Sequence, residues 1–168
     1  MRVTILPAAC LCLAATLAPS ATSGGSRTLR TDSVTVRYPA AWHATTRPLS
    51  LVTSPGELLA VASFPFPAEP KPDGCAPAGT LAAMPPSGAL IVVLYYGKNL
   101  DNARFPPRPS HFKLGPARQY ECFGARRSYS ILFKQANRYF QIMVAFGNRA
   151  GPRTRATVLS VLDNFATS

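Results

Sequence analysis

The sequence predicts an α+β domain: an antiparallel β-sheet of about six strands, with a C-terminal amphipathic helix and a short additional helix packed on it. Three observations predict it. Apolar runs of strand length, separated by turn residues, recur from Ser33 to Phe146. Pro supplies 17 of 168 residues, which excludes long uninterrupted helices. Only beyond Gly151 does the apolar spacing become helical. The length suits one domain with one sizeable core, and an apolar content of 47% separates the chain from disordered tails.

Met1 to Ser26 reads as a secretory signal peptide. Arg2 supplies the positive start and Ile5 to Ala18 the apolar stretch, which is too short to span a bilayer comfortably and is interrupted by Pro7. Small residues follow, and cleavage after Ala21 or after Ser23 fits equally. A retained anchor helix, or a lipoprotein through Cys10 or Cys12, is the weaker alternative. Residues 27–32 are polar and read as a flexible lead-in, leaving 33–168 as the single α+β domain.

Ser33 to Tyr38 alternates strictly, with Val34, Val36 and Tyr38 on one face, and Pro39 stops this half-buried strand. Trp42, the only tryptophan, is expected to plug the core, with ligand stacking as the alternative. A short strand is possible at Leu49 to Thr53, and a clear one runs from Leu58 to Phe64. Phe66 to Pro77 is a Pro-rich loop pinned by Cys75. Ala78 to Met84 fits a short helix ended by Pro85-Pro86. Ala89 to Tyr96 lacks polar alternation and reads as a central strand covered on both faces.

Gly97 to Pro116 returns to loop character, tacked down by Phe105, Phe112 and Leu114. Its length makes it a candidate functional region. Arg118 to Phe123 reads as a strand carrying Cys122, with Glu121 and Cys122 pointing to opposite sides. Arg127 to Phe133 and Tyr139 to Phe146 form a hairpin around a turn at Lys134 to Arg138. Pro152 suits a first helical position, and Val158, Leu159, Val161, Leu162 and Phe165 mark the apolar side of the last helix.

Removing the leader takes Cys10 and Cys12 with it. The remaining Cys75 and Cys122 then read as one disulfide in an oxidising compartment. A metal or redox pair is the alternative, but there is no Cys-x-x-Cys and no histidine near in sequence.

Few residues offer catalysis. The Gly-x-Ser-x-Gly elbow, the His-Glu-x-x-His motif, the calcium loop and the phosphate-cradling glycine loop are all missing. His43 and His111 are the only imidazoles, and each sits among turn or loop residues. The seven acids are Asp32, Glu57, Glu69, Asp73, Asp101, Glu121 and Asp163, and no pairing suggests glycosidase chemistry. No catalytic residue, cofactor or metal is expected.

Charge is the unusual feature. Lys and Arg number 18 against 7 acids, a formal +11 that becomes +10 once Arg2 is removed. Arg126 and Arg127 form one cluster. Arg149, Arg153 and Arg155 form another at the start of the last helix, where cations oppose the helix dipole and attract an anion. These five are the candidate contacts for an anionic envelope polymer or a protein partner, set against a plain solvated face. Nucleic acid is not an expected partner, because the aromatics sit in strands where core packing explains them. No segment of the mature chain has the length of a membrane span, and a monomer is expected.

Tyr38-Pro39-Ala40-Ala41-Trp42 and the closing Val158-Leu159-Ser160-Val161-Leu162-Asp163-Asn164-Phe165, together with the order of elements, resemble the PsbP-like α/β/α sandwich family. That family includes an extrinsic photosystem subunit, a Ran-binding import factor and LpqN-type bacterial envelope proteins. The resemblance covers roughly Ser33 to Ser168. It implies an antiparallel sheet with helices on its faces and accessory or binding work, but carries over no site residue. The Pro-rich segment around Cys75 and the loop through Pro109 depart from the family pattern. The resulting expectation is a secreted, non-catalytic accessory or binding protein acting at the cell envelope or outside the cell. A small secreted hydrolase on the same fold is the first alternative, and a carrier of an apolar small ligand, with a cavity under Trp42, is the second.

Overall fold

The computed structural model describes residues 24–69, 71–98, 104–123 and 128–167. Most of the leader assigned to residues 1–26 lies outside them, as do Arg126 and Arg127. The fold is α+β, and the described residues form eight strands in two sheets where the sequence predicts about six in one. Every pairing between strands is antiparallel.

The larger sheet contains β3 (His43–Thr45), β4 (Gly56–Ala62), β5 (Ala89–Lys98), β6 (Ser128–Gln135) and β7 (Arg138–Phe146), in the order β3-β4-β5-β7-β6. Its centre is β5, the strand without polar alternation, and both faces of its first half are buried. The β6–β7 hairpin turns through Ala136 and Asn137, both at positive φ, as a tight two-residue connection requires. The free side of β6 is covered by the 104–109 loop. There the Arg108 amide donates to the Lys134 carbonyl (2.9 Å), and the Lys134 amide donates to the Pro106 carbonyl (2.8 Å). This loop makes only an isolated bridge at the sheet edge, which is where prolines are tolerated.

The smaller sheet comprises β1 (Ser26–Arg30), β2 (Val34–Pro39) and β8 (Ala166–Thr167), in the order β1-β2-β8. Here the structure corrects the sequence: residues 27–32 are not a flexible lead-in, because most of them belong to β1 and pair with β2. Thr31 makes the turn, its hydroxyl accepting from the amides of Ser33 (3.3 Å) and Val34 (3.1 Å). Leu29 packs on the core from an otherwise polar strand.

Two clusters fill the faces of the larger sheet. On one, α2 (Pro152–Asp163) lays Val158, Val161 and Leu162 against Ile91, Phe140 and Ile142, and β2 adds Val34 and Val36. Trp42 is buried in this cluster as expected. On the other, α1 (Ala78–Ala83) and the segments around Leu49, Phe64 and Phe123 pack on Leu90, Val92 and Met143. Gly147 ends β7 where no side chain fits: a Cβ there would lie 2.2 Å from the Pro86 carbonyl oxygen and 2.4 Å from that of Pro85. Among the described residues no helix is long and apolar enough to cross a membrane.

Two short strands read from the sequence are absent. Leu49 to Thr53 is a run of bends and turns, with Leu49 buried and Leu51 68% exposed. Arg118 to Phe123 makes one bridge, from Arg118 to Ser128, and then a 3-10 turn at Glu121–Phe123. The reason is the spacing of Tyr120 and Phe123. Three residues per turn bring both onto the same apolar cluster, which alternation does not.

Candidate functional site

The disulfide joins Cys75 to Cys122, as the sequence predicts. Cys75 sits in a tight turn closed by Asp73 and Ala76 and made possible by Gly74 at φ +53°. The crosslink ties this turn to the 3-10 turn at Glu121–Phe123, and together they stand over the sheet face that α2 leaves uncovered.

Between these loops and the sheet lies a cavity of about 240 Å³. Val92, Leu94 and Met143 line it from the sheet, and the disulfide and Pro77 from the loops. Tyr96, Tyr120 and Gln141 add polar atoms, and Glu57 and Glu121 add carboxylates. This cavity is therefore on the face opposite Trp42. Glu121 and Cys122 both line it, so the expected opposite orientation of these neighbours fails with the strand that implied it.

One sheet irregularity delivers Glu57, and alternation delivers Tyr96. Along β4, Ala60 and Ala62 face the cavity side, so strict alternation would put Glu57 on the α2 side. A bulge between Glu57 and Leu59 reverses that parity and places Glu57 opposite Leu94. Glu57 is then held in place: Oε1 accepts from the Ser50 hydroxyl and Oε2 from the Leu49 amide at 2.7 Å. On β5 plain alternation already puts Tyr96 on the face of Val92 and Leu94, and a bulge between Tyr95 and Gly97, with Gly97 at φ +106°, leaves no register partner for Tyr96. The Tyr96 hydroxyl donates to Gln141 Oε1 (2.8 Å), whose amide donates to Ser130 Oγ (2.8 Å).

The residues singled out from sequence stand elsewhere. His43 is exposed on β3. His111 is 79% exposed, with Nδ1 3.1 Å from Asp163 Oδ2. Arg149 and Arg153 are exposed around the start of α2, as the sequence places them. Arg155 is folded inward, donating to the Tyr129 hydroxyl (2.8 Å) and lying over the Phe146 ring at 5.1 Å. The cluster of three thus divides into two surface cations and one that packs on aromatics. Among the described residues no group of three or more His, Cys, Asp or Glu is arranged to hold a metal ion.

Comparison with protein-family models, with curated proteins and with solved structures returned no match.

Proposed function

We propose that the chain is an exported, non-catalytic accessory protein that binds a small, largely apolar ligand at the cell envelope or outside the cell. The cavity between the stapled loops and the β4–β5–β7 face carries this reading. It is concave, mostly apolar and furnished with a few fixed polar groups, which is the usual make-up of a small-molecule site. A leader-like N-terminus and a disulfide support an oxidising, extracytoplasmic setting. The exposed Arg149 and Arg153 support attachment to anionic envelope material, with Arg155 steadying the helix that presents them. The PsbP-like assignment belongs to the same proposal. It rests on the Tyr38–Trp42 and Val158–Phe165 segments and agrees with an antiparallel sheet covered by helices.

The test is a ligand-observed NMR screen of small apolar compounds against the protein and a Leu94→Trp variant. Leu94 is only partly buried, so the indole fills the cavity without rebuilding the core. Compounds should bind the parent protein and lose binding to the variant at unchanged melting temperature. Equal binding to both proteins would place the ligand somewhere other than this cavity.

A further inference from the structure

We propose that the cavity selects a small organic cation, an aryl- or alkylammonium whose apolar body lies on Val92, Leu94 and Met143 and whose charged end meets Glu57. This inference rests on reading the cavity as a ligand site and names the ligand class. The chain carries 18 Lys and Arg against 7 acids, yet the charged residues lining the cavity, among those described, are Glu57 and Glu121. The general field of so basic a protein attracts anions. A local pair of carboxylates at the apolar cavity runs against that field, so a preference for cations there cannot arise from net charge.

Glu57 reaches the cavity only through a bulge, and Ser50 and the Leu49 amide fix its carboxylate. Each carboxylate oxygen has two acceptor positions, and one of them on each is filled, so the group can still receive N–H donors from a ligand. Tyr96 and Tyr120 add aromatic rings, which attract ammonium groups through their faces. An apolar cavity of roughly 150 Å³ holds benzene and drug-sized ligands need roughly 300 Å³ or more. A volume of about 240 Å³ therefore suits one ring with a short arm.

The experiment titrates the protein, disulfide intact, with 2-phenylethylammonium, 2-phenylethanol and 3-phenylpropanoate in a calorimeter. The three share the ring and arm and differ in the charge of the end group. The ammonium should bind about tenfold more tightly than the alcohol, since charge-assisted bonds are about twice as strong as neutral ones. The carboxylate should bind most weakly. Glu57→Gln should remove most of the ammonium's advantage over the alcohol and leave the alcohol unchanged. Should that variant not fold, Glu121→Gln, at an exposed position, should still narrow the gap between them. Alcohol or carboxylate binding as tightly as the ammonium would overturn the cation inference while leaving the cavity as a ligand site. No binding by any of the three at millimolar concentration would overturn both.

Discussion

At the scale of single residues, several arginines donate to carbonyls or lie over rings. Arg47 donates to the Pro67 (2.8 Å) and Ala68 (2.6 Å) carbonyls and so holds the start of the Pro-rich loop. Arg138 donates to the Ser33 carbonyl (3.0 Å), tying β7 to the β1–β2 turn. Arg108 donates to the carbonyls of Asp163 (3.0 Å) and Phe165 (2.9 Å), satisfying the end of α2, and its guanidinium lies over Phe112. Asp163 completes this tie through Oδ1, which accepts from the Phe112 amide (2.8 Å), and Oδ2, which meets His111. Burial alone would raise the Asp163 pKa. The Phe112 N–H, His111 and the Arg108 charge outweigh it, and the carboxyl sits below its ordinary 3.8. A depressed carboxyl pKa stabilises the fold above the unfolded value, and that contribution is lost as pH falls through the folded value. Asp163→Asn should therefore lower the urea midpoint at pH 7 and flatten the loss of stability below about pH 4. Parallel acid limbs for the two proteins would show that the carboxylate is not linked to folding.

At the scale of elements, the disulfide is the strongest local constraint. It spans 47 residues, and chain entropy assigns a loop of that size about 4 kcal/mol. Replacing Cys75 and Cys122 together by Ser should cost about that much in urea unfolding, and the cavity ligand should weaken with it. A loss below about 1 kcal/mol would mean that the crosslink leaves the unfolded chain unconstrained. The same elements show what is legible in sequence. Strands β2, β4, β5, β6 and β7 and both helices carry strong periodic or turn signals, and all form within a few residues of the expected ends. Strand β1 has one apolar residue in five and β8 only two residues, so their pairing with β2 has no local signature. The candidate site was still less legible. Glu57 is aimed by a bulge, and a bulge is defined by the partner strand, not by the residues beside it. Leu58 to Ala62 is an unbroken apolar run, so no alternation reveals the change of parity.

At the scale of the whole molecule, the positive charge is spread over separate faces. Arg30 and Arg37 are exposed on the smaller sheet, while Arg149 and Arg153 flank the start of α2. If the latter pair is the attachment point, reversing both to Glu should release the protein from anionic envelope fragments at lower salt than the matched reversal of Arg30 and Arg37. Equal losses would assign retention to net charge alone. The two-faced sheet also separates two optical reporters. Trp42 is the only tryptophan and lies within the α2-side cluster, whereas Tyr96 and Tyr120 border the opposite hollow. Indole emission should thus follow unfolding and stay silent when the hollow fills, while phenol absorbance responds to occupancy, so one cuvette reports both equilibria through independent colours.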